Sequence, residues 1–132
     1  MRLLSDAIYY NLIREQRYLQ FLRGLGVSLQ LTVYAAAIGI LIGLFLALAK
    51  LGKISWLQKL STLYVDIIRG TPMVVQLVLI YYAILGTSSL PKIMVASIAF
   101  GLNSGAYVSE LIRAGIMAVD KGQMEAARSL GF

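Results

Sequence analysis

Glu110 is a carboxylate set in "LNSGAYVSELIRAGI", a stretch apolar enough to lie inside a membrane. Asn103, Tyr107 and Glu110 fall at i, i+4 and i+7, so an amide, a phenol and a carboxylate share one stripe of a helix, with Ala114 next along it. An acid at the centre of a transmembrane helix costs roughly 2.5–3.5 kcal/mol on insertion scales, which makes such a group a functional candidate by default. Its chemistry would be attraction of a positive group across a low-dielectric space. The plainer alternative is an ion pair, with Arg113 on the same helix or with Arg69 from another.

The second constellation is "RGTP", residues 69–72. Pro72 lacks the amide that would bond the Ile68 carbonyl, and Gly70 weakens the same turn, so backbone acceptors are freed at membrane depth. In transporters a Gly/Pro-interrupted span points to the substrate site, because irregular backbone survives only where it is buried or lines a cavity. A simple proline kink is the alternative. Thr71 either refills one freed bond itself or faces a ligand.

Little other chemistry is available. The chain has no His and no Cys, which excludes disulfides, thiol nucleophiles, imidazole bases and Cys or His metal sites. No catalytic residue, metal site or cofactor is expected. A phosphate loop is also missing, because the Gly52–Lys53 pair would need a glycine where Ala47 stands, so any ATP is bound by another chain.

The elements that must position these residues are all helical. Apolar residues make up 59% of the 132 positions and charged residues 14%, against about 25% charged in a soluble domain. "GLGVSLQLTVYAAAIGILIGLFLALA", residues 24–49, runs uncharged for longer than the roughly 20 residues a spanning helix needs. It is not a signal peptide, since mixed-charge residues precede it and no short apolar core follows Met1. Residues 1–23, with Leu4, Ile8 and Leu12 at helical spacing among charges, read as an amphipathic surface helix or a loose tail.

Lys50, Lys53 and Lys59 then mark a cytoplasmic loop. An approach helix follows, with Leu57, Leu60, Tyr64 and Ile67 on one side and Lys59, Thr62 and Asp66 on another. The broken second span ends at a turn over residues 86–90, and Pro91 opens a third span reaching about Val119. Small residues recur every fourth position at Ala35, Gly39, Gly43 and Ala47, and again at Ser97, Gly101, Gly105 and Ser109, as closely packed membrane helices require. With the lysine loop inside, the amino terminus is outside and residues 120–132 are inside; Arg2, Arg14, Arg17 and Arg23 weigh against that topology. The basic residues form no stripe interleaved with aromatics, so lipid rather than nucleic acid is the expected partner of the +6 net charge.

The closing stretch "DKGQMEAARSLGF" begins a new helix: Asp120 with Gln123 resembles a capping box, and Gly131 suits the left-handed residue that ends one. Met124, Ala127 and Leu130 make a small apolar face, and Glu125 and Arg128 can pair.

Here the residues match a family. "EAARSLG" resembles the EAA loop of the membrane subunits of bacterial ABC importers, and "VDIIRGTPMVVQL" and "LNSGAYVSELIRAGI" resemble the polar amino-acid permeases among them, the histidine, glutamine and arginine group. The likeness runs from about Phe21 to Phe132. It implies an all-α polytopic transmembrane bundle in the bacterial inner membrane, three spans here of about five, with residues 24–132 as an incomplete transmembrane domain and the chain as a fragment. It further implies a separate ATP-binding cassette subunit that hydrolyses ATP, an extracytoplasmic amino-acid-binding protein, and a second permease copy or paralogue.

Carried over position by position, Glu125, Ala126, Ala127 and Gly131 match the coupling helix that docks on the ATPase. Thr71 and Glu110 match motifs near the ligand path, beside the helix break at Gly70 and Pro72, and Asn103 and Ser28 are further path candidates. A carboxylate at Glu110 favours a cationic or zwitterionic amino acid as substrate. The competing function is a non-transporting helical scaffold, which would have no use for a broken span beside an intramembrane acid. An interfacial enzyme would lack a nucleophile and base.

Overall fold

A computed structural model describes residues 9–84 and 89–131, which form helices joined by short turns, without a strand among the described residues. Helix α1 is Tyr18–Leu51, whose 34 residues span about 50 Å at 1.5 Å each. It takes in residues 18–23, which the sequence grouped with a surface segment. The division falls instead near Gln16, where φ of 54° turns the chain between α1 and the short turns Tyr9–Ile13 and Arg14–Gln16. The Leu4 and Ile8 positions of the expected amphipathic face lie outside the described residues, as does most of the turn expected over 86–90.

After Leu51 the chain reverses. The Gly52 amide bonds the Leu48 carbonyl at 2.9 Å, and the Gly52 carbonyl accepts from the Gln58 side chain, which ties the reversal to helix α2, Ser55–Gly70. Thr71 and Pro72 interrupt the path, and α3, Met73–Val78, resumes it, continuing as wider π-type turns over Leu79–Ile84. The two halves are bent by 106° at the break. Helix α4 is Lys92–Met117, and a short helix α5, Lys121–Ser129, follows. Among the described residues two helices, α1 and α4, are long and apolar enough to cross a membrane, and the bent pair makes a third span if it crosses as one.

Helices α1 and α4 run in the same direction and pack through their small residues. A Cβ on Gly39 would lie 2.8 Å from Ser104 Oγ, and one on Gly43 would lie 2.6 Å from Val108 Cγ1 and 3.1 Å from the Gly105 carbonyl. From the other side, a Cβ on Gly101 or Gly105 would meet Ile38 Cγ2 at 2.5 Å or Ile42 Cγ2 at 2.7 Å. Lipid gives no hydrophobic drive for helices to associate, so backbone proximity and dispersion must supply it. Ser97 and Ser109, both fully buried in this seam, return their hydroxyls to the Ile93 and Ala106 carbonyls of their own helix and leave no polar group unpaired.

These contacts give an expected result. Gly43→Ala should destabilise the purified protein by about 1–2 kcal/mol, because stiff Val108 and a backbone carbonyl cannot retreat. Gly24→Ala should be neutral or slightly stabilising, since nothing lies within 4 Å of the new methyl. Thermal unfolding in detergent measures both, and equal effects would show that the seam has slack.

Helix α2 leans on this pair with Ser61 buried and Val65 joining Leu46 and Ala106, while the Tyr64 hydroxyl donates to the Leu102 carbonyl at 2.8 Å. The inward face is therefore Ser61, Tyr64, Val65 and Ile68. Leu60 and Ile67, which periodicity groups with Leu57 and Tyr64 on one apolar side, are more than half exposed. A narrow residue must stand where α2 approaches the seam, and large apolar side chains are content in lipid, so hydrophobicity alone does not select the packed face.

Candidate functional site

Three polar assemblies lie along this bundle. The first is at the break. Pro72 offers no amide to Ile68, and the side chain of Gln76, one turn into α3, takes its place: Nε2 donates to the Ile68 carbonyl at 2.6 Å and also lies 3.1 Å from the Thr71 carbonyl and 2.6 Å from Thr71 Oγ1. The Thr71 hydroxyl itself donates to the Ile67 carbonyl at 2.9 Å. Gln76 Oε1 in turn accepts from Asn103 Nδ2 at 2.9 Å, which fastens the broken span to α4. Both amides are buried, 8% exposed each, so this network replaces helix hydrogen bonds that water does not reach to replace. Gln76 was not singled out from the sequence. Its signal was a lone amide in the apolar run "PMVVQLVL", one turn past the proline.

The second assembly is a groove of about 450 Å³ between α1, α4 and the start of α3, walled by Thr32, Met73, Phe100, Asn103, Ser104 and Tyr107. Such a volume suits a small metabolite, and a few convergent polar groups on apolar walls are the usual character of a ligand site. Asn103 belongs to both assemblies. On α1 the polar groove residue is Thr32, beside Leu31, Ala35 and Ala36; Ser28, one turn earlier, is exposed, and its carbonyl accepts the Thr32 hydroxyl at 2.8 Å. The guanidinium of Arg69, at the end of α2, lies over the Tyr107 ring with Cζ 5.4 Å from the centroid.

The third assembly surrounds Glu110. One carboxylate oxygen meets Lys50 Nζ at 2.5 Å and the other meets the Arg113 guanidinium at 2.9 Å. Arg113 was foreseen as a partner. Arg69 was the other candidate, and Tyr107 holds it instead. Lys50, read as a loop cation, is the last basic residue of α1 and only 11% exposed, so its charge is spent on α4 rather than on a surface.

Helix α5 stands apart from the groove. Asp120 caps it by accepting from the Gly122 amide at 2.7 Å, not through a reciprocal box with Gln123. Gly131 has φ of 89°, the left-handed conformation expected of it. Glu125 and Ala126 are exposed and Ala127 partly so, Met124 and Leu130 are exposed, and no ion pair joins Glu125 to Arg128 among the described residues.

Residues 39–132 match the family described as "Binding-protein-dependent transport system inner membrane component". The chain belongs to this family. Among its relatives are the "Putative glutamine transport system permease protein GlnP" of Rickettsia conorii, 49% identical over 109 residues that cover 80% of this chain and 50% of that protein. The "Arginine transport system permease protein ArtQ" of Bacillus subtilis is 42% identical over 112 residues, covering 83% of this chain and 51% of that one. A solved structure, "Crystal structure of an amino acid ABC transporter with histidines", superposes with a TM-score of 0.71 and 43% identity over 86% of this chain and 57% of that one. The all-helical permease fold and the membrane transport class expected from the motifs are thereby established for the family, and the chain spans about half the length of the curated relatives it matches.

Proposed function

We propose that this chain contributes to the permease of an ATP-driven importer of polar amino acids, and that the groove at Asn103 is part of the translocation path. The observation that carries this is the coincidence of the first two assemblies: backbone freed at a helix break is held by Gln76, and Gln76 is held by a residue that lines the groove. Irregular backbone at membrane depth beside a polar-edged groove is the arrangement transporters use for substrate sites. Amino-acid specificity is supported by relatives whose names specify glutamine and arginine.

The cationic preference drawn from Glu110 has less support than the zwitterionic one, because Lys50 and Arg113 already neutralise that carboxylate. Glu110 is assigned here to joining α1 and α4, Thr71 to closing the break, and Asn103 to the path. We place the Lys50 end of the bundle in the cytoplasm, in keeping with Lys53 and Lys59 nearby and with the amino terminus outside. The test is ATP-dependent uptake of labelled glutamine and arginine by vesicles holding the permease, its ATPase and its binding protein. Absence of uptake for every polar amino acid offered would remove the assignment.

Coupling to the ATPase is assigned to α5, whose exposed Glu125 and small Ala126 and Ala127 allow close docking. Gly131→Val should strain the left-handed turn by roughly 1–2 kcal/mol, and Glu125→Lys should reverse a charge at the dock. Either change should lower ligand-stimulated ATP hydrolysis while the membrane helices stay folded. Wild-type stimulation in both variants would reduce α5 to a solvated surface helix.

A further inference from the structure

Arg69 is an always-charged guanidinium at the edge of the helix break, level with Tyr107 on α4. Among the described residues no acid pairs with it: Glu110 is taken by Lys50 and Arg113, and Asp66, one turn earlier on α2, is not within pairing distance. Among the described residues its partner is the face of Tyr107, which lines the groove. A ring face fixes the plane of a guanidinium without using its N–H groups, so the donor fork stays available for a planar anion. Within a membrane, an unneutralised charge held in this way is a functional candidate by default.

The rest of the groove defines what that anion belongs to. Asn103 spends its amide N–H on Gln76, while its Oδ1 accepts no hydrogen bond among the described residues and so can receive a donor such as an ammonium group. Ser104 adds a hydroxyl on the same wall, and Met73 and Phe100 supply apolar surface. Local charge points the same way, because Lys50 and Arg113 outnumber Glu110 and leave that end of the bundle positive. A carboxylate and an ammonium on one small molecule match this set of groups, and a molecule bearing cations alone does not.

We infer that Arg69, held over Tyr107, is the residue that recognises the substrate carboxylate, with Tyr107 as its positioning residue. The inference rests on the amino-acid reading of the groove and adds to it the contact that separates an amino acid from an amine. Arg69 reads the group common to all α-amino acids, and the apolar wall of Met73 and Phe100 is left to the side chain.

The test is equilibrium binding to the assembled permease in nanodiscs, without binding protein, so that no other subunit selects the ligand. The probes are labelled L-glutamine and L-arginine, each with its α-carboxamide as competitor. The unmodified protein should prefer each acid over its amide by at least about tenfold, the scale of a charge-assisted, bidentate contact. Arg69→Gln should lower affinity for the acids and bring the preference close to one, and Arg69→Lys should keep part of it. Tyr107→Leu should reduce the preference, and Tyr107→Phe, which retains the ring, should restore it. An unchanged preference in Arg69→Gln would overturn the inference and leave Arg69 to lipid phosphate or packing. Failure of the unmodified protein to bind either acid would instead overturn the amino-acid reading beneath it.

Discussion

Glu110→Gln should unfold the purified protein at markedly lower temperature, with a loss of about 2–3 kcal/mol. The substitution leaves Lys50 and Arg113 facing each other with no anion between them, at side-chain exposures of 11% and 34%. Breaking a fully buried pair costs roughly 3–5 kcal/mol, and the partial access of water here brings the figure down. The penalty belongs to the stranded cations more than to the lost attraction, so removing a cation as well should recover part of it. Lys50→Met with Glu110→Gln should therefore be less destabilised than the sum of the two single changes, by about 1 kcal/mol or more. Additive effects in this cycle would mean that the 2.5 Å contact between Lys50 and Glu110 holds nothing together.

The second large effect is expected at Gln76. Gln76→Leu preserves bulk but strands the Ile68 carbonyl and the Asn103 amide, and each buried unsatisfied group costs roughly 1–3 kcal/mol. A combined loss of about 2–4 kcal/mol follows, together with loss of uptake as the break relaxes. Gln76→Glu is the sharper variant, because an ionised carboxylate cannot donate to the Ile68 and Thr71 carbonyls it would face. It should fare no better than Leu although it is nearly isosteric. Unfolding temperature and vesicle uptake, measured together, decide the matter. A Glu variant with native stability and transport would show that the freed carbonyls are satisfied by something other than this side chain.

How much of this was legible in the sequence depends on how far apart the interacting residues stand. The first span could be read from its uncharged run and the third from its largely apolar stretch after Pro91, and the Ala35 and Ser97 stripes announced the seam because packing at every fourth residue is a local pattern. The break was equally local, since Pro72 and Gly70 act on their own turn. The partners were not. Asn103 and Gln76 are 27 residues apart, and Lys50 and Glu110 are 60 apart, and nothing in a linear pattern selects those matches. Lys50 was counted with the loop because a cation at a helix end normally reaches water, and the acid one helix away outweighed that tendency. The apolar side of α2 read from periodicity does not coincide with its packed face, because in lipid an apolar side chain gains nothing by hiding, so Leu60 and Ile67 carry no information about where the neighbours are.

The seam between α1 and α4 also has a mechanical side. Two rods that touch along their backbones and are clamped at one end by an ionic bolt resist bending far more than either does alone, since flexing one must stretch or shear the other. The chain beyond Met117 is attached to the bolted end. Beside that stiff pair, at the level of Asn103, stands the break at Thr71 and Pro72, where side-chain amides take the place of helix bonds. The described part of the molecule thus sets a stiff beam beside a jointed arm, and the joint adjoins the groove.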